Sequence, residues 1–151
     1  KRTINYYLKN EHKSYVLNEI ASFLDFKYNL EDFYISEINL TAMSNSNMFI
    51  GSQTQSHPVM SNLSYSDQKI EIEGSIEYLE SKNFMKVRTY CHPFGGFYSF
   101  NDHTINILNA NNFVYSFSTE SRDIVNLDFQ KNLVQSLPRY DCNEFFYGKA
   151  D

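Results

Sequence analysis

The sequence predicts an α/β fold with mostly parallel strands, and three patterns predict it. From residue 48 onward, short apolar runs alternate with amphipathic segments, a pattern most economically built from parallel β/α units. Loops containing Gly and Pro follow two of those runs, at 51–58 and 92–96. Upstream, Val16, Leu17, Ile20, Phe23 and Leu24 recur at spacings of three and four, the signature of one helical face over 14–26. In such folds working groups collect where strands end at their carboxyl edge, because the loops there converge on one mouth. That rule selects 51–57, 91–96 and the stretch after Phe117.

Taken in order, 29–33 reads as a connection, after which Ser36 is placed to cap a short helix carrying Ile38, Leu40 and Met43 towards the core. The run of Ser and Asn at 44–47 stops it. Met48, Phe49 and Ile50 form an apolar run closed by Gly51, as expected of a buried strand ending at a turn. Ser64 followed by Asp67 is an acidic variant of the capping box and precedes a long helix with Ile72, Ile76 and Leu79 on one face. Glu71, Glu73, Glu77 and Glu80 are read as its solvated side. Residues 87–91 read as the next strand, Asn101 or Asp102 as the cap of a helix with Ile105, Ile107 and Leu108, 113–117 as another strand and 133–137 as a last one. The 151 residues suit a single domain, with 1–47 as a helical amino-terminal part and 48–145 as the β/α part.

A formal charge of -5 and no basic stripe argue against nucleic acid as a partner, since phosphate binding needs concentrated Lys and Arg. No apolar run approaches the roughly 20 residues that a membrane-spanning helix requires. The chain begins Lys1-Arg2-Thr3 without an initiator Met or a signal-peptide pattern, and reads as a processed chain or a piece of a longer one. Cys91 and Cys142 lie far apart and fit neither a disulfide framework nor a metal knuckle, so they read as free, partly buried thiols. A thiol nucleophile with His92 or His57 as base rests on residue type alone. Twelve Tyr and thirteen Phe offer stacking surfaces for sugars, although most such rings are core. His57 sits in a strand-end loop ahead of Pro58, and a lone loop His is more often a surface residue than a metal ligand. His12 and His103 read as surface residues.

The residues around His57 carry more information than the imidazole itself. I-G-S-Q-T-Q-S-H-P-V-M-S-N-L-S over 50–64 resembles I-G-S-H-T-x-x-H-P-x-L-S-x-L-S, the second signature of the NodB-like polysaccharide deacetylases, also called carbohydrate esterase family four. Four further stretches follow in the family's order: Glu71-Ile72 with Ser75 and Leu79; C-H-P-F-G-G at 91–96, in place of R-x-P-Y-G; N-D-H-T-I-N-I-L at 101–108; and L-P-R-Y-D at 137–141.

The resemblance implies an incomplete or deformed (β/α) barrel. It also implies a divalent metal, zinc or a cobalt- or nickel-like ion, and hydrolysis of N-acetyl groups on an amino sugar of a surface polysaccharide. Carried over by position, His57 is a metal ligand and Gln53 a doubtful one, while the Phe94 backbone N–H is the candidate oxyanion donor. Tyr90, Pro93 and Phe94 are candidates for sugar contact, His92 for an acid or base, and Arg139 with Asp141 for a supporting pair. Three departures lead us to expect that the isolated chain is inactive. The T-F-D-D-G strand that supplies base and carboxylate ligand has no counterpart over 1–48, Gln53 replaces a metal His, and Cys91 replaces the loop Arg. An open sheet edge would call for a cover, such as a homodimer. The alternative function is a non-catalytic carbohydrate-binding or assembly module. Family members work in the bacterial envelope or on cytoplasmic precursors, which leaves both compartments open.

Overall fold

In the computed structural model, which describes residues 3–4, 7–25, 27 and 34–146, the chain groups into two units, Lys1–Met48 and Phe49–Asp151. The first contains helices α1 (Asn10–Phe23) and α2 (Glu37–Asn45). Helix α1 begins four residues earlier than its apolar stripe suggested, and Leu17, Ile20, Phe23 and Leu24 are exposed. Ser36 caps α2 as expected, its Oγ accepting from the Asn39 N–H at 3.2 Å. Ile38, expected to face the core, is 81% exposed instead. A helical stripe specifies a face but not what covers it. The connection read at 29–33 lies outside the described residues.

The second unit carries α3 (Tyr65–Ser81), β1 (Thr89–Cys91), α4 (Asp102–Ala110), β2 (Tyr115–Phe117) and α5 (Asn126–Gln130), with 3₁₀ turns at Met60–Asn62 and Cys142–Glu144. Strands β1 and β2 pair in parallel, Thr89 opposite Tyr115, Tyr90 opposite Ser116 and Cys91 opposite Phe117. Parallel neighbours need a crossover, and α4 is that crossover. Single parallel bridges extend the pair on both sides, Ser52 to Tyr90 and Leu137 to Phe117. The result is a helix-rich α/β unit with parallel strands, an incomplete barrel.

The apolar run at 48–50 is not a strand. Met48 and Phe49 are 51% and 76% exposed, and pairing starts only at Ser52, whose N–H donates to Thr89 O and whose carbonyl accepts from Cys91 N, both at 2.9 Å. Gly51 lets the backbones approach, since a Cβ there would press on the Thr89 carbonyl. The strand read at 133–137 contracts to the Leu137 bridge. Helix α5 had no clear apolar signature; it starts where the Asp128 carboxylate accepts from the Val125 N–H and is gripped by Arg122.

Because side chains alternate across a strand, the sheet has two unlike faces. Tyr90 joins Ile72 and Ile76 of α3 and Ile107 and Leu108 of α4 in the core. Thr89 and Cys91, with Tyr115 and Phe117, line a cavity of about 600 Å³ that also touches Phe49 and Gln53. The two covering helices are fastened through Gln68, which is fully buried. Its amide donates to Leu63 O and Asn101 Oδ1, and its oxygen accepts from Thr104 Oγ1 at 2.6 Å. Asn101 and Thr104 complete a reciprocal capping box at the start of α4. Ser64 likewise accepts from the Asp67 N–H and opens α3. Among the described residues no helix is long and apolar enough to cross a membrane.

Gln68→Leu keeps the volume but takes the amide donor from the Leu63 carbonyl and the 2.6 Å acceptor from the Thr104 hydroxyl, which is left with its longer bonds to Asn101. The expected loss is about 2 kcal/mol in urea denaturation with an unchanged slope.

Candidate functional site

Two loops leave the sheet at one edge. The first, 52–58, carries Gln53 and His57; the second, 92–96, carries His92, Pro93 and Phe94. His57 is exposed and sets its ring edge-on to Phe94 with 4.8 Å between ring centres. Both residues, and Thr54, have positive φ, at 54°, 61° and 69°. Such backbone is uncommon for side chains of this size and costly for a β-branched Thr, so each turn must be held by its surroundings.

The surroundings are visible. Ser52 Oγ meets Ser75 Oγ of α3 at 2.5 Å, Thr54 Oγ1 accepts from the His57 N–H at 3.0 Å, and the Gln55 amide donates to Ile70 O. Glu71 Oε2 accepts from the backbone N–H groups of Gln55 and Ser56, both at 2.9 Å, and its Oε1 accepts from the Ser56 hydroxyl at 2.5 Å. On the second loop, the Thr119 N–H donates to Gly95 O and the His92 N–H to Phe117 O. Gly95, at φ 68°, lies against Thr119 where a Cβ would collide.

Glu71, expected on the solvated side of α3, instead fastens the His57 loop. A Gly inside the α3 pattern, at position 74, was the available signal, because a mid-helix Gly usually has a packing reason. A Cβ there would overlap the Gln55 side chain.

His92 is not at the mouth. It is fully buried, stacked on Phe100 with 3.7 Å between ring centres, and its Nε2 lies 2.9 Å from Gln135 O and 3.0 Å from Ser116 Oγ. A carbonyl only accepts, so Nε2 carries the proton. Burial pulls the imidazole down to about 4, which suits a neutral core residue rather than a solvent-facing acid or base. Tyr90 and Pro93 are also buried, leaving Phe94 as the half-exposed member of the three residues read as sugar contacts. Desolvation pushes the Tyr90 phenol up.

Gln53 is exposed and lines the cavity with Cys91 and Phe117. Burial pushes the Cys91 thiol up, opposed by the Arg139 guanidinium, so Cys91 does not have the lowered pKa of an activated thiol nucleophile. Cys142, the other free thiol, is exposed. Arg139 Nε donates to Ser118 O at 3.1 Å. Asp141 accepts from the Asn143 N–H and caps the last 3₁₀ turn, with Arg139 only the weakest influence on its carboxyl. The expected supporting pair is therefore two separately engaged side chains.

As a metal site the donor set does not fit. One imidazole and one neutral amide are a poor set for a zinc-like ion, which takes four ligands from Cys, His and carboxylates. Among the described residues no group of three His, Cys, Asp or Glu stands close enough to hold an ion.

A parallel sheet with helices on one face and motif-bearing loops at one edge is the arrangement of a deacetylase-type barrel in part. The family profile for polysaccharide deacetylases matches residues 19–116, about two thirds of the chain, and the chain belongs to that family. Among solved structures, the Streptococcus pyogenes deacetylase PplD in complex with acetate aligns with a TM-score of 0.61 at 21% identity, a likeness of fold. The alignment covers 70% of this chain and 44% of that one, so the chain spans less than half the length of that relative. No curated protein matches the sequence.

His92 makes stability depend on pH with a definite sign. The unfolded chain takes up its proton near pH 6.5 while the folded chain resists until about 4. Stability contributed by neutral His92 is therefore whole above 6.5 and falls through that window, by about 3 kcal/mol in all. Urea melts at stepped pH should show this slope, and His92→Leu should flatten it.

Proposed function

We propose that this chain is the carboxyl-terminal part of an N-deacetylase scaffold for an amino-sugar polysaccharide, and that it does not hydrolyse N-acetyl groups by itself. The observation that carries this reading is the His57 loop, hydrogen-bonded to α3 at the sheet edge with its imidazole against Phe94, in a chain of the polysaccharide deacetylase family. His57 would contribute one ligand to a divalent metal, zinc or a cobalt- or nickel-like ion, whose remaining ligands this donor set does not supply. When bound, such an ion would polarise the acetamide carbonyl and activate water. The Phe94 backbone N–H, on a loop strapped to the segment after β2, is the group we assign to the developing oxyanion.

Gln53 favours a second reading. An amide in the position of a metal His leaves a surface able to hydrogen-bond sugar hydroxyls without chemistry, as a non-catalytic glycan-binding module would.

Incubated with chito-oligosaccharides and zinc or cobalt, the chain is expected to release no acetate; robust turnover overturns the inactive reading. Zinc titration should show weak binding for the wild type and at least about tenfold tighter binding for Gln53→His, since an imidazole replaces an amide on the loop that bears His57. Unchanged affinity would remove both side chains from any metal site. Saturable binding of chito-oligosaccharide without hydrolysis would favour the second reading.

A further inference from the structure

The acidic face of α3 contains a carboxylate with a specific job. Glu71 meets the two successive backbone N–H groups of Gln55 and Ser56 with one oxygen and the Ser56 hydroxyl with the other. Successive N–H groups form a concave anion site, and ionised acceptors make shorter and stronger bonds than neutral ones. Three residues further along the helix, Gly74 lacks the Cβ that would overlap Gln55, so that side chain lies across the helix and donates to Ile70 O at 3.2 Å. Ser75, one residue on, meets Ser52. Along 70–75, α3 thus presents an acceptor and a gap for the Gln55 side chain, a carboxylate for the 55–56 backbone and the Ser56 hydroxyl, and a hydroxyl for Ser52.

A glycine inside a helix costs about 1 kcal/mol relative to Ala, and this helix carries one where the loop's side chain needs the space. The bonds hold Gln55 and Ser56 between two residues of positive φ, Thr54 and His57. Their consequence is the direction of the His57 ring, which closes on Phe94 across the mouth.

We infer that Glu71, with Gly74 beside it, is the positioning residue of this site: it locks the 52–57 loop to α3 and so holds His57 against Phe94. The inference rests on the proposed function only in taking the His57–Phe94 face as the working face. Glu71 touches no reacting group; it acts through the loop.

The test is NMR on the full 151-residue chain. In Glu71→Ala the amides of Gln55 and Ser56 should exchange about tenfold faster or more, while Tyr90 and Cys91 in β1 keep their rates. The cross-relaxation between the His57 and Phe94 rings should disappear. Glu71→Gln keeps an oxygen acceptor and should retain much of both signals, and Glu77→Ala, on an exposed part of the same helix, should change neither. Gly74→Ala favours the helix but expels Gln55, and should also accelerate exchange at 55 and 56. Wild-type protection and an intact ring contact in Glu71→Ala would overturn the inference, as would loss of the β1 protection to the same degree. Release of the loop in Glu71→Ala, with no response of wild-type His57 signals to chito-oligosaccharide or zinc, would support the positioning role and count against the deacetylase reading. The two failures are thereby separate.

Discussion

The mouth of this protein hangs from the backbone pairing of β1. That strand is three residues long and is hydrogen-bonded on both sides, to Ser52 on one and to β2 on the other. The pairing brings the 52–58 and 92–96 loops out at one edge, so His57 and Phe94 can meet although 37 positions separate them in sequence. It also sorts side chains. Tyr90 goes to the helices, while Thr89 and Cys91 go to the cavity. A slip of one residue would exchange these faces, placing a buried Tyr in the cavity and a thiol in the core.

Around that strand the molecule uses two kinds of fastening. The core side is largely apolar but contains buried polar clusters, His92 with Ser116 and Gln135 and Gln68–Thr104–Asn101, the second of which fixes the starts of α3 and α4 against each other. The mouth side is held by hydrogen bonds from helix to loop, since the 52–57 loop is largely exposed and has little apolar surface to bury. Positive φ at Thr54, His57 and Phe94 persists under those restraints. Function must be argued from the residues of such a site rather than from the fold.

What the sequence by itself determined is what neighbours in the chain decide. Ser36, Ser64 and Asn101 cap helices whose first turns lie within three residues; the first two form as read, and of Asn101 and Asp102 it is Asn101 that caps. The order of the signature stretches placed the chain in its family, and the alternation of helix and strand announced parallel pairing. Tertiary structure decided what depends on distant partners. His92 reads as a mouth residue from its Pro-Gly loop, yet its ring turns into the core to meet Gln135, 43 residues on. Glu71 reads as a solvated helix charge until Ser56, 15 residues earlier, folds back onto it. The apolar run at 48–50 looks like a strand, but only residues that reach β1 pair, and Ser52 is the one that does. Caps and periodicity are set by short-range sterics and hydrogen bonding, whereas burial and loop anchoring are set by which surfaces the fold brings together.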